Sequence, residues 1–425
     1  MGREDYVANL GTWLRRLFGS KEEEPAWAPT VPQEPPAGSG PEMDAEDSND
    51  FALAMYAQLC QMPGNVFFSP FSIRTALGMT YAGARGETAA QMSKALRFAT
   101  ADETLHSGFA RIIQRLNAGG GGRYEIAVAN ALWAQDGPVL QAGFLDLIAR
   151  CYGGALHLVD FVGAADAART TINHWVEDRT RQKIRDIVPP GGVDAETRLV
   201  LVNAIYFKGK WVLQFRKAAT RDEPFYVEGG GEVLTPLMHQ LEENSYLQAN
   251  GYQAVDLAYV GGDLSMLVLL PDQKEGLRDL EQALSVQTLN DCVARMNVRP
   301  IELFLPRFKM IWGTVDMCAC LKALGMTLAF DRSQADLSGI NGRQAPSQEA
   351  LFISRVLHKA FVEVNEEGTE AAAATAINMT LGMAVSLSNR VPVFRADHPF
   401  LFAVRDRKSG TILFLGRVAD PTREN

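Results

Sequence analysis

The chain has 425 residues, 47% of them hydrophobic, enough for a sizeable core in one large domain or two ordinary ones. No apolar run reaches the roughly 18 residues that a membrane-spanning helix needs, and a formal net charge of −9 argues against nucleic acid as a partner. Most of that charge is local: the first fifty residues hold eleven acids and four bases, a net of −7, which leaves the remainder near −2.

Residues 1–20 carry Tyr6, Val7, Leu10, Trp13, Leu14, Leu17 and Phe18 at helical spacing. Such a helix is expected to pack on its own domain or to stay largely unstructured, with docking on a membrane surface or a partner as the alternative. Glu4 and Asp5 stand where a secretory signal needs bases, and Arg15 and Arg16 interrupt the apolar run. This points to the cytoplasm, with an extracellular location as the alternative. Residue 6 is Tyr rather than Ser or Thr, which argues against myristoylation at Gly2. Residues 21–48, rich in Pro, Glu, Asp and Gly, read as a disordered acidic linker.

The main domain is then expected over 49–425. It opens with a predicted helix over 49–61. Ser69 before Pro70 starts a second helix, with serine at the cap and proline just inside. Gly86-Glu87-Thr88 leads into a third that runs to 96. Glycines at 119–122 precede an alternating run, 124–132, that reads as a strand. The pattern over 171–184 predicts an amphipathic helix. The continuous apolar run 199–207 suits a strand buried on both faces. Further strands are predicted at 264–270, 301–305, 351–364 and 412–415. Mixed helices and strands without a βαβ rhythm indicate an α+β fold.

The five cysteines (Cys60, Cys151, Cys292, Cys318, Cys320) have no framework spacing, which suits free thiols better than disulfide staples. On a helix, Cys318 and Cys320 would point about 200° apart, so no metal or redox pair is expected there. The six histidines are scattered without metal-ligand spacing. Neither G-x-S-x-G, H-E-x-x-H nor a phosphate-binding loop occurs. Catalysis, a bound metal and a cofactor are therefore not expected.

The most informative stretch is 365–375, Asn-Glu-Glu-Gly-Thr-Glu-Ala-Ala-Ala-Ala-Thr, followed by no charge until Arg390. If extended, Thr369, Ala371, Ala373 and Thr375 share one face. Small uncharged side chains are what a segment needs to leave the surface and slot into an existing sheet. Alanine is also the best helix former, so composition alone leaves a flexible loop or a short helix equally open. The stretch resembles the reactive-loop hinge of the serpins, serine protease inhibitors that trap their targets by inserting a loop into a sheet. Other blocks in the family's order carry the same resemblance from about residue 49 to 421. They are Asn65-Val66-Phe67-Phe68-Ser69-Pro70-Phe71-Ser72-Ile73, Leu201-Val202-Asn203-Ala204-Ile205-Tyr206-Phe207-Lys208-Gly209-Lys210-Trp211, and Ile353-Ser354-Arg355-Val356-Leu357-His358-Lys359-Ala360. Phe394-Arg395-Ala396-Asp397-His398-Pro399-Phe400-Leu401-Phe402 and Ile412-Leu413-Phe414-Leu415-Gly416-Arg417-Val418 complete the set.

The resemblance implies a serpin fold, mixed sheets with surrounding helices and an exposed loop over about 368–392. That loop would be bait for a serine, or alternatively a cysteine, endopeptidase. Cleavage would form an acyl-enzyme, and the freed loop would insert as a new central strand. A ladder of about 15 residues at roughly 1 kcal/mol per bond amounts to on the order of ten kcal/mol. The hinge would comprise Glu366, Gly368, Thr369, Ala371, Ala372, Ala373, Ala374 and Thr375. Ser69, Ser72, Asn203 and His358 match the family's polar cluster beneath the sheet, and Trp211 its tryptophan at the top. The plainer roles are a satisfied core histidine for His358 and an ordinary core aromatic for Trp211. Counting seventeen residues from Glu366 places the cleaved bond after Gly382, with Leu381 and Met383 as better anchors on either side. A bond at Arg390 would leave too long a tether. Elastase-, chymotrypsin- or subtilisin-like targets are thus favoured over trypsin-like ones. A non-inhibitory serpin acting as carrier, chaperone or storage protein is the alternative. Members of the family are usually monomers, although an insertable loop can also link chains.

Overall fold

The computed structural model describes residues 45–98, 103–117, 123–153, 156–369 and 391–424. In chain order the helices that matter below are α1 (Ala45–Leu59), α2 (Pro70–Gly83), α3 (Gly86–Leu96), α4 (Glu103–Asn117), α5 (Ala142–Tyr152), α6 (Phe161–Arg179), α7 (Leu277–Ala283) and α8 (Val286–Arg295). The strands are β1 (Val66–Phe68), β2 (Tyr124–Gln135), β3 (Leu156–Val159), β4 (Leu199–Lys210), β5 (Arg221–Tyr226), β6 (Glu232–Gln248), β7 (Tyr252–Ala258) and β8 (Leu264–Pro271). They continue with β9 (Asn297–Pro306), β10 (Phe308–Asp316), β11 (Ile353–Asn365), β12 (Gly368–Thr369), β13 (Val393–Arg395), β14 (Phe400–Asp406) and β15 (Ile412–Val418).

Two sheets result. The larger runs β1-β15-β14-β8-β7-β6-β9-β13, with β5 on β6. The smaller has β10, β11, β4, β2 and β3 side by side, with the two-residue β12 between β11 and β4 at one end. Alternation along β4 explains its unbroken apolar run. Val200, Val202, Ala204 and Tyr206 join a cluster with Ile172 and Val176 of α6. Leu199, Leu201, Ile205 and Phe207 face the main core between the sheets. Burial on both faces removes the period-two signal that a half-exposed strand would show. That burial stabilises the strand by roughly 25 cal/mol per Å² of apolar area removed from water.

Most predicted elements appear, some with shifted ends. The first helix begins at Ala45, not 49, so 45–48 belong to the domain and not to the acidic linker. Ser48 and Asn49 are buried there, and Glu46 and Asp47 suit the positive end of the helix dipole. The helix predicted over 171–184 is α6, which starts ten residues earlier. Asp160 caps it by accepting from the Gly163 N–H at 2.8 Å. It ends at Arg179, after which Arg181 and Gln182 have positive φ. All five cysteines are free thiols, Cys151 and Cys292 buried. Residues 1–20, Ala371 to Ala374, Thr375, Leu381, Gly382 and Met383 lie outside the described residues.

Candidate functional site

β4 and β11 make the site. From the Leu199/Ile353 end to the Tyr206/Phe361 pair they are bonded directly and in parallel. Beyond that pair they diverge, and Gly368–Thr369 occupies the gap. Thr369 pairs antiparallel with Val364 of β11 on one side and with Gly209 of β4 on the other. Two residues of the expected hinge therefore already stand in the sheet. Gly368 has a φ of +150°, and a Cβ there would lie 2.0 Å from the Gly209 carbonyl oxygen. Only glycine fits that approach.

The wedge is held on all sides. The fully buried Thr369 hydroxyl meets the Tyr259 hydroxyl at 2.7 Å. Burial drives the Tyr259 pKa up, which keeps this phenol protonated. Trp211 stacks on Tyr259 with ring centroids 4.5 Å apart. Its indole N–H donates to the Asn365 carbonyl at 3.0 Å, and its backbone N–H donates to that of Glu367 at 2.9 Å. Glu366, 2% exposed, receives a two-pronged interaction from the Arg307 guanidinium and a bond from Thr220 Oγ1. Burial works to raise this carboxyl's pKa, but the Arg307 and Thr220 hydrogen bonds outweigh it and the net shift is downward. Glu367 pairs with Lys217 at 2.7 Å.

The directly bonded part of the same strand pair has a polar seam on its core face. Register places Asn130 of β2, Asn203 of β4 and His358 of β11 in one row across three adjacent strands. The N-terminus of α2 abuts that row. Ser69 caps the helix by accepting from the Ser72 N–H at 3.1 Å and donates to the Leu413 carbonyl at 2.6 Å. The Ser69 N–H donates to His358 Nε2 at 3.2 Å, which leaves the proton on Nδ1 to donate to Asn203 Oδ1. Asn203 Nδ2 donates to Ser72 Oγ at 2.6 Å and to Asn130 Oδ1. Ser72 Oγ donates to Asn130 Oδ1 at 2.9 Å, and Asn130 Nδ2 donates to the Ser72 carbonyl at 3.2 Å. Burial pulls the His358 pKa down to about 3, so the ring is neutral.

The four polar residues singled out from the sequence thus touch one another, and Trp211 sits at the wedge. Sequence reasoning missed Asn130, Tyr259, Thr220, Arg307 and Lys217. Only Asn130 carried a readable signal, an amide inside an otherwise apolar strand that needs partners.

The chain matches the profile of the family "Serpin (serine protease inhibitor)" over residues 46–421, and it belongs to that family. It is 41% identical over 381 residues to the leukocyte elastase inhibitor of Homo sapiens, covering 87% of this chain and 97% of that protein. It is 40% identical over 375 residues to an uncharacterized serpin-like protein of Thermococcus kodakarensis, covering 88% and 84%. Among solved structures, uncleaved ovalbumin superposes with a TM-score of 0.80 at 32% identity, over 89% of this chain and 99% of that one. The fold is the α+β serpin fold.

Proposed function

We propose that this chain is a suicide-substrate inhibitor of serine endopeptidases that acts by inserting its reactive loop between β4 and β11. The observation that carries this reading is the wedge of Gly368 and Thr369, hydrogen-bonded to both strands where they have parted. An inserted strand would extend the same antiparallel ladder along β4 and β11, displacing their direct parallel pairing. Ser69, Ser72, Asn203 and His358, with Asn130, act as the seam that lets the strands separate. Each can exchange donor and acceptor partners as the pair opens. The hinge continues through Ala371, Ala372, Ala373, Ala374 and Thr375, whose small side chains favour insertion over a carrier role. The bait bond lies at Leu381, Gly382 or Met383. The relative that bears the name leukocyte elastase inhibitor supports elastase-like targets.

The test is a denaturing gel after incubation with elastase, chymotrypsin, subtilisin and trypsin, with mass spectrometry of the released C-terminal peptide. A denaturant-resistant complex with one of the first three is expected, and the peptide's N-terminus then identifies the bond. Cleavage by all four without any complex contradicts the proposal.

A further inference from the structure

Three of the large apolar side chains that meet solvent stand together on one face of the larger sheet. Register sets Leu241 of β6 opposite Glu302 of β9, and Glu302 opposite Val393 of β13. Paired residues share a face, as do residues two apart along a strand, so Val298 and Glu243 join them. The reverse face is core, where Met238, Ile301, Leu303 and Phe394 are fully buried. On the outward face Leu241 is 58% exposed, Val298 68% and Val393 47%. Contiguous exposure of this kind marks an interaction surface, whereas scattered apolar side chains do not.

The charges within this patch are negative. Glu243 is exposed, and Glu302 lies between Leu241 and Val393, where it meets His239 at 3.3 Å. Arg395, the next outward residue of β13, is committed to Glu223 and Asp397. The patch is also small. Two strand spacings by four residues is roughly 10 by 13 Å, far below the roughly 800 Å² per partner that a stable complex buries. A second copy of the chain would gain too little from this face alone. A partner already held elsewhere gains enough, because the first contact makes the second intramolecular. The position of β13 says which partner that is. Val393 stands just after the loop that carries the bait bond, and Met383 is ten residues before it, at most about 35 Å of chain. A folded enzyme of about 200 residues is about 40 Å across, so one seated on the bait bond can also rest on this face.

We propose that this face is a second docking site for the target protease, engaging a basic and apolar surface beside that enzyme's cleft while the cleft takes the loop. The proposal rests on the inhibitor reading above and adds to it a determinant of which protease is caught. Leu241, Val298 and Val393 supply the apolar contact, and Glu243 and Glu302 steer the encounter. The site acts before the bond is cut. It therefore sets the rate of association and leaves the later partition between trapping and release unchanged.

Two measurements with leukocyte elastase on the full chain test this. With active enzyme, Leu241→Ser together with Val298→Ser is expected to lower the second-order rate of complex formation at least fivefold, with the inhibition stoichiometry unchanged. Both side chains are exposed, and an unaltered melting temperature checks that the fold is intact. With the enzyme's catalytic serine covalently blocked, equilibrium binding is expected to weaken at least fivefold in the same variant. Glu243→Lys with Glu302→Lys should weaken it at least threefold, as should raised salt for the unaltered chain. Thr369→Arg should bind the blocked enzyme as the unaltered chain does, so a failure to trap and a failure to dock are read separately. Equal binding by the unaltered chain and the Leu241→Ser, Val298→Ser variant overturns the proposal. So does absence of binding to the blocked enzyme, or a dimer of the chain that this pair of substitutions abolishes, which identifies a second copy as the occupant.

Discussion

The two ends of the β4–β11 pair are built from the same strands yet solve opposite problems. At one end the strands bond directly, and the Asn130–Asn203–His358 row with Ser69 and Ser72 satisfies every polar group that the core face buries. At the other end they stand apart, and two residues of the loop fill the gap without completing a strand. On the proposed mechanism the closed end would resist opening through polar groups that must all find new partners. The open end would supply the first rungs of the ladder that displaces it. A sheet closed along its whole length would offer no entry, and one open along its whole length would have nothing left to gain.

The most severe way to break this contrast is Thr369→Arg. Thr369 is fully buried against Tyr259, and an unpaired charge there costs several kcal/mol. We expect denaturant-resistant complex to vanish and the protease to cleave the loop as a plain substrate, raising the inhibition stoichiometry more than tenfold. Gly368→Val attacks the wedge by shape instead. Its Cβ collides with the Gly209 carbonyl, so the wedge is expelled at a cost of about 3 kcal/mol. The Trp211 contribution to fluorescence, taken by difference from a Trp211→Phe background, should change in this variant.

At the closed end, Asn203→Ala removes the acceptor of His358 Nδ1–H and the donor to Ser72 and Asn130. Urea unfolding should show a loss of about 1–3 kcal/mol, with the Trp211 signal of the folded state unaltered. The mildest probe is pH. The His358 pKa is near 3 in the fold and about 6.5 unfolded. Between those values the unfolded chain binds the extra proton, so stability is constant above pH 6.5 and declines as pH falls toward 3. The His358 contribution to that loss is about 2 kcal/mol at pH 5. His157, lowered to about 4 by burial and by Arg179, acts in the same direction. His358→Gln should therefore remove about half of the slope and leave the rest.

What the sequence made legible here was local chemistry. Of the glycine and small residues after Glu367 that marked a segment fit to enter a sheet, Gly368 and Thr369 pair with β11 and β4, and Ala371 to Thr375 lie outside the described residues. Ser69 before Pro70 announced a capped helix, and the cap bond is present. The run 199–207 declared a strand buried on both faces. What stayed hidden depends on register. Asn130 joins Asn203 only because β2 and β4 pair with those residues opposite each other. Arg307 reaches Glu366 across 59 residues of sequence, and Tyr259 reaches Thr369 across 110. No spacing rule encodes such pairs. The start of α6 was missed because the turn at Asp160 carries no amphipathic repeat and Ala164 breaks the helical geometry.

The central claim is that the gap between β4 and β11 accepts the rest of the loop. The direct measurement is a thermal scan of the intact chain beside the same chain nicked once within 370–390. A ladder gain on the order of ten kcal/mol, set against the unfolding entropy of a domain this size, predicts that the nicked protein melts at least about 10 °C higher. A nicked protein that melts at or below the temperature of the intact one would contradict insertion.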